Sequence, residues 1–325
     1  VTVTALGLFS GGLDSILAAL LLRRQGIDVH GVCFTSPFFD ADNARQAAKR
    51  YQIALTVRDI GARHLEMLKN PRYGYGKNMN PCIDCHALMF AIAGEMLDEG
   101  GYDFLFSGEV VGQRPKSQNN SALMAVRKAS GRAPQILRPL SAKLLPITPM
   151  EEDGRVDREQ LLAIQGRSRK AQEELARQLG VDWYPSSGGG CLLTENSFSA
   201  RLRDLFEHQP DCDCAAVELL KLGRTFRLSP MAKLTLGRNR SDNEKLKQLA
   251  DSSNHLLRCN NFSGPLGVVS GTPDNDDLAL AAAIVASYGK GAKEAQVEVL
   301  LRHGTTTTTI TVPPAERSAS QKLQL

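Results

Sequence analysis

The sequence predicts an α/β protein: a doubly wound parallel sheet in the first part of the chain, followed by a second, smaller α+β domain. Three observations carry that expectation. Short apolar runs alternate with helical-period segments from residue 3 to about 110, a glycine-rich turn joins the first run to the first helix, and the composition changes near residues 208–216. At 325 residues the chain is long enough for two cores.

The elements follow in order. Val3–Phe9 reads as the first strand, Leu13–Gln25 as a helix and Val29–Phe34 as the second strand. Ala41–Tyr51 is helical and Ala54–Asp59 is the third strand; a helix around Cys85–Glu99 leads to the strand Phe104–Ser107. That alternation places ligands at the C-terminal strand ends. Residues 135–150 are Pro-rich and read as extended, and Gln160–Leu179 is a helical region with Arg167, Arg169 and Lys170. The boundaries expected are 1–207 for the first domain, 208–216 for a linker, 217–312 for the second domain and 313–325 for a flexible tail. Thr305–Thr309 suits a strand by β-branching.

The first turn is Ser10-Gly11-Gly12-Leu13-Asp14-Ser15. Adjacent glycines bend the chain tightly and bring backbone N–H groups near an anion, and the helix dipole adds attraction. Ser10 and Ser15 can donate to phosphate oxygens. Asp14 repels a polyphosphate unless Mg²⁺ or a proton lies between, the plainer alternative being a first-turn dipole residue.

With 42% hydrophobic and 23% charged residues the composition is that of a globular protein. A net charge of +4 argues only weakly for nucleic acid. No apolar run is long enough for a membrane helix, and Gly11, Gly12 and Asp14 interrupt the first one, so neither a membrane span nor a signal peptide is expected and the location expected is cytoplasmic.

Seven cysteines fit reduced thiols or metal ligation better than a disulfide framework. Cys82-Ile83-Asp84-Cys85 is a CxxC, and Cys191 follows the small-residue turn Ser186–Gly190. Three thiolates suffice for three irons of a [4Fe–4S] cluster, leaving one iron open to sulfide or substrate. Zinc would want a fourth ligand, for which His86 or Cys33 is a candidate. Alternatively, one thiol carries a persulfide and another resolves it as a disulfide. Cys212-x-Cys214 reads as an exposed loop rather than a metal site, and Cys33 and Cys259 as core.

Ser-Gly-Gly-x-Asp-Ser after an opening strand resembles the PP-loop ATP pyrophosphatase family and lacks the Gly-Lys-[Ser/Thr] ending of a Walker loop. Asn80-Pro81-Cys82-x-x-Cys85 resembles the tRNA 2-thiouridylases, whereas Ser107-Gly108-Glu109-Val110-Val111-Gly112-Gln113 resembles the Gly-Glu-x-x-Gly-Gln string of the 4-thiouridine-forming enzymes. The chain mixes the two patterns. The resemblance implies a sulfurtransferase that spends ATP to adenylylate the C2 or C4 oxygen of a uridine in tRNA, after which sulfur displaces AMP. It assigns Ser10, Gly11, Gly12, Asp14 and Ser15 to ATP, with Phe34, Gly108 and Gln113 at neighbouring strand ends. Asp14, Cys82, Cys85 and Cys191 carry over as catalytic, the three cysteines also as cluster ligands, and Mg²⁺ as the partner of the phosphates. The sulfur donor implied is hydrosulfide or a persulfide-carrying protein, and a homodimer is admitted as its assembly. Arg114 and Lys116 lie just past the fourth strand and could reach the nucleotide.

From Lys221 to Lys247, Lys221, Arg224, Arg227, Lys233, Arg238, Arg240, Lys245 and Lys247 outnumber Asp242 and Glu244. Such a basic strand pair can track a phosphate backbone. Gly237-Arg238-Asn239 with Asn243-Glu244, Gly264-Pro265, the helix Ala279–Tyr288 and Gly289-Lys290-Gly291 resemble the NFACT-R type of RNA-binding domain. Arg224, Arg227, Lys233, Arg238 and Arg240 are the RNA contacts that this resemblance implies. Few aromatics accompany them, so a folded RNA held by shape and phosphates is the partner expected. Two other readings are open on the residues alone: a small-molecule ligase or amidotransferase, and an RNA-binding or metal-sensing module without catalysis.

Overall fold

A computed structural model describes residues 2–186 and 191–325. The glycine run Gly188–Gly190 thus lies outside the described residues. The chain forms two compact units, Val1–Thr194 and Glu195–Leu325. Among the described residues no helix is long and apolar enough to cross a membrane.

The first unit runs β1 (Thr4–Leu8), α1 (Leu13–Arg23), β2 (Asp28–Thr35), α2 (Asp42–Tyr51), β3 (Ala54–Asp59), α3 (Gly61–Lys69), α4 (Cys82–Asp98), β4 (Phe104–Ser107), α5 (Asn120–Ala129), β5 (Ile136–Leu137), α6 (Pro149–Glu152) and α7 (Lys170–Gln178). Its sheet has the order β3-β2-β1-β4-β5, and every pairing is parallel. Alternation along β1 makes it doubly wound. Ala5 joins the cluster formed with α1, α2 and α7, while Leu6 joins Phe90, Ala93 and Val126 of α4 and α5 on the opposite face. Chain order reverses between β1 and β4, so a crevice is expected where both strands end. β5 falls within the segment expected to be extended.

The second unit runs α8 (Asn196–His208), α9 (Cys214–Leu220), β6 (Arg224–Ser229), β7 (Ala232–Leu236), α10 (Arg240–Leu249), β8 (His255–Cys259), β9 (Gly267–Gly271), α11 (Asn275–Ser287), β10 (Val297–His303), β11 (Thr306–Val312) and α12 (Arg317–Gln321). Its antiparallel sheet has the order β11-β10-β8-β9-β7-β6. The apolar helix α11 covers one face through Ala281, Ala282, Val285 and Ala286, which meet Leu257, Val269, Val299 and Leu301. On the other face Leu246 of α10 packs with Leu222 and Val268, so that helix covers only the β9 side.

Two boundaries differ from the sequence reading. The division falls ahead of α8, because Asp204 of that helix accepts both guanidinium arms of Arg227 in β6. The tail is docked rather than frayed: Arg227 N–H donates to Leu323 O at 2.9 Å and Leu325 N–H to Thr225 O at 3.0 Å, which satisfies the edge of β6.

Candidate active site and nucleic-acid interface

The Ser10–Ser15 turn leaves β1 at the crevice. Gly11 has φ +75°, and a Cβ there would lie 2.3 Å from the Asn43 carbonyl oxygen, so both conformation and space require glycine. Inside the turn, Ser15 Oγ donates to Gly12 O at 2.8 Å, and Gly12 N–H reaches Ser10 Oγ at 3.4 Å. Gly12 precedes α1 without a side-chain cap, so the first N–H groups of that helix are offered at the crevice.

Asp14 sits behind this cradle. Gln113 Nε2 donates to its Oδ2 at 2.8 Å, and Gln172 Nε2 of α7 donates to Gln113 Oε1 at 3.3 Å. Burial raises the Asp14 carboxyl, opposed by Gln113, Arg169, Gln172 and Arg114. Its Oδ1 is buried without a hydrogen-bond partner. An orphaned carboxylate oxygen beside a phosphate cradle suits a hydrated Mg²⁺, a hard cation bound through oxygen. Gln172 was missed in the sequence, because an isolated glutamine on an amphipathic helix carries no local signal.

Thiols gather at the start of α4. Cys82 opens the helix and receives Asn80 Nδ2 at 3.4 Å, and Cys85 lies one turn on, with His64 Nε2 at 3.3 Å from its sulfur. Asp84 accepts the N–H groups of Arg72 and Tyr73, both at 3.0 Å, which folds the preceding loop onto the helix. Met79 N–H donates to Leu193 O and Asn78 Nδ2 to Thr194 O, bringing the segment after Cys191 against the segment before Cys82. Burial pushes the Cys85 thiol far up, and Cys191, Cys82 and Asp84 push it further. Such mutual repulsion is what a bound cation or cluster relieves, and the soft donors suit iron–sulfur chemistry. Among the described residues no three His, Cys, Asp or Glu side chains are set to hold a metal ion together.

His64 is fully buried against the rings of Phe38 and Phe39, and burial lowers it to about 4, so it is neutral. No sequence pattern pairs it with Cys85.

The two candidates for a fourth zinc ligand are engaged elsewhere. Cys33 is buried on the α1 side of the sheet and raised to about 11 chiefly by burial. His86 donates from Nδ1 to Glu109 Oε1 at 2.7 Å.

Glu109 is the hub of the second network. Its other oxygen takes Arg138 Nε at 2.8 Å and Ser107 Oγ at 3.0 Å. Burial would raise this carboxyl, but Arg138 and His86 outweigh it and hold it at about 2. An ionised Glu109 accepts from His86 Nδ1 and so orients the ring. The adjoining Gly108 is pressed on the phosphate loop, where a Cβ would lie 2.4 Å from the Asp14 carbonyl. One loop, Ser107–Glu109, therefore touches the phosphate turn and grips the residue after Cys85. Phe34, expected near the nucleotide, has its side chain in the core with Leu6 and Val32, so only its backbone faces the strand end.

In the second unit the cations predicted from sequence are scattered. Arg224 lies over the Tyr288 ring, Arg227 is paired with Asp204, and Arg238 with Asp242. Lys233 is only 4% exposed, lowered to about 8 by burial and then by Arg227, and presents nothing to a ligand. It faces inward because every residue of β7 is buried. The Gly237–Glu244 string has structural roles: Asn239 caps α10 by accepting Asp242 N–H at 2.9 Å, and Asn243 Oδ1 takes Leu266 N–H at 3.0 Å. Arg240 is exposed. Cys212 is buried, contrary to the exposed loop expected there.

Comparison with known proteins agrees with both resemblances. Residues 1–143 match the family described as thiamine biosynthesis protein (ThiI), and residues 223–323 match the NFACT protein RNA binding domain. The chain is similar to tRNA-specific 2-thiouridylase MnmA 1 of Syntrophus aciditrophicus, 27% identical over 62% of this chain and 54% of that protein. It is 28% identical to tRNA-specific 2-thiouridylase MnmA of Dichelobacter nodosus, with the same coverage. The chain spans about half the length of these curated relatives. Among solved structures, a 4-thiouridine synthetase in complex with RNA and bound ATP is 21% identical over 55% of this chain and 51% of that one, with a TM-score of 0.34, too low to carry an argument.

Proposed function

We propose that this chain is an ATP-dependent tRNA sulfurtransferase that converts a uridine carbonyl to a thiocarbonyl. The observation that carries the reading is the Ser107–Glu109 loop, which ties the phosphate turn to the thiol-bearing helix through Gly108 on Asp14 and Glu109 on His86. A small-molecule ligase has no use for a thiol-bearing helix tied to its phosphate loop.

The reaction begins with ATP on the Ser10–Ser15 turn, its phosphates on backbone N–H groups, where Asp14 would help hold a Mg²⁺ that neutralises them. The uridine oxygen forms a bond to the α-phosphorus as the α–β bridge breaks and pyrophosphate leaves. The N3 proton must depart as that oxygen attacks, and His86 Nε2, oriented by Glu109, is the base available. Hydrosulfide then attacks the adenylylated carbon, AMP leaves with the C–O electron pair, and no net oxidation is needed. A [4Fe–4S] cluster on Cys82, Cys85 and Cys191 would supply an open iron for the sulfur donor, and it requires these thiols, which are not set to hold a metal as they stand, to draw together. His64 keeps a neutral ring on Cys85.

The test incubates tRNA with ATP, Mg²⁺ and sulfide and follows thiouridine, AMP and pyrophosphate. Wild type is expected to form all three, and Cys85→Ser to lose thiouridine while still exchanging pyrophosphate into ATP. Thiouridine undiminished in Cys85→Ser, or absent from wild type, overturns the reading. Anaerobic purification reads the cluster separately: a brown protein bleached in Cys82→Ala supports it, and a colourless protein that is active with a persulfide-carrying donor but not with sulfide assigns the thiols to persulfide exchange.

A further inference from the structure

The second unit carries a groove of about 370 Å³ whose sheet-borne residues no sequence motif marks. Its floor is the half of the six-stranded sheet left bare by α10. Leu256 and Arg258 of β8, Leu300 and Arg302 of β10 and Thr307 of β11 line it, and Arg240, Asn243, Glu244 and Lys247 of α10 form its wall. The alternation of β8 and β10 explains the floor. Leu257, Cys259, Val299 and Leu301 turn to the α11 core, so the intervening side chains must face the other way.

The register sets the cations. Arg258 is paired with Leu300 and Arg302 with Leu256, which places the two guanidinium groups diagonally across neighbouring strands, their backbone positions about 7–8 Å apart. Both are exposed, as are Arg240 and Lys247. The four cations meet one acid in the groove, Glu244, whose pair with Arg240 at 2.8 Å is exposed and cheaply exchanged. Glu298 lies on the same face of β10, but its Oε2 takes Asn260 at 3.0 Å and Asn261 at 3.4 Å.

We propose that this groove is where the second unit holds RNA, by the phosphate backbone of a tRNA. The inference rests on the RNA-binding part of the function proposed above and names its surface. Charge complementarity commits the occupant. Spaced guanidinium forks over an apolar floor match successive phosphates, Thr307 and Asn243 can meet sugar hydroxyls, and among the described residues no aromatic ring lines the groove to stack a base. Binding of this kind is insensitive to sequence and weakens steeply with salt. The face moves from β6–β7, where a basic run is visible in the sequence, to β8–β10–β11.

The experiment measures binding of total tRNA to the full chain across a salt series. Arg258→Gln/Arg302→Gln is expected to weaken binding by about tenfold or more near 0.1 M salt and to make the log–log salt slope shallower by about two. Arg203→Gln/Lys293→Gln removes the same charge from exposed positions outside the groove and is expected to change affinity less than about threefold. Arg258→Lys/Arg302→Lys should restore most of the slope, which separates loss of contact from loss of fold. Equal losses in the two glutamine doubles would overturn the groove in favour of diffuse charge. Displacement of tRNA by polyglutamate at matched charge would overturn RNA as the occupant. Failure of the intact chain to bind tRNA would instead sink the underlying RNA reading.

Discussion

In Val1–Thr194 the parallel sheet is buried on both faces, so the groups able to do chemistry are confined to turns and helix starts at the strand ends. In Glu195–Leu325 an antiparallel sheet keeps half of one face open, and the exposed Arg258 and Arg302 stand on that face. The contrast decides how each site is written in the sequence. A strand-end site is built from consecutive residues whose backbone makes the cradle, so Ser10–Ser15 is a compact string. A site on a sheet face takes every second residue from strands far apart in the chain, so Arg258, Arg302 and Lys247 form no string at all.

Buried charge gives the sharpest way to break the comparison. The first unit closes its ion network completely: Arg138 is 2% exposed, and Glu109 takes Arg138, His86 and Ser107. Glu109→Gln leaves that guanidinium without its counter-charge and is expected to cost about 3–5 kcal/mol in denaturant unfolding. Replacing both partners, Glu109→Leu with Arg138→Met, should recover much of the loss. The pH profile follows in sign. Glu109 is held at about 2 against an ordinary 4.5, so its contribution is complete above about pH 4.5 and disappears as pH falls toward 2. A wild-type acid limb identical to that of Glu109→Gln would remove Glu109 as its source.

The second unit closes its network less well, and its expected effect is smaller. Asp204 is the acid paired with Arg227 and acting on the nearby buried Lys233, so Asp204→Asn should destabilise by about 2–3 kcal/mol at pH 7. Lys233 is lowered to about 8 from an ordinary 10.5, so its burial is uncosted above about pH 10.5, weakens the unit as pH falls from there toward 8, and costs its full amount below. The Asp204→Asn defect should therefore shrink between pH 7 and pH 9.5. A defect that grows over that range would show that Lys233 does not share Asp204.

The smallest effect tests the reading of Asn239 as a cap. Asn239→Ala removes the acceptor of Asp242 N–H and is expected to cost about 1 kcal/mol, seen as earlier melting of the second unit. A loss of RNA affinity much larger than the loss of stability would make Asn239 a contact instead of a support for α10.

Legibility followed sequence distance. The phosphate turn, the CxxC and Gln113 stood out because each lies in a short string with its own chemistry. Gln172 on Gln113, His64 on Cys85 and Arg138 on Glu109 did not, since each pair joins segments 21 to 59 residues apart. The basic run Arg224–Arg240 misled for the opposite reason. Its charges are adjacent in sequence, but strand alternation and acidic neighbours turn Arg227 and Lys233 away from solvent.

The amino-acid order by itself determined the alternating α/β class, the glycine turn after the first strand, the CxxC at Cys82 and Cys85 and the excess of cations in the second unit. Those are properties of local pattern and composition, which the chain carries before it folds. Only the tertiary structure decided that Glu109 joins the phosphate turn to the thiol helix, that α8 belongs with the second unit, and which arginines face solvent. These depend on register and on burial, where a polar group survives only if distant residues supply its partners.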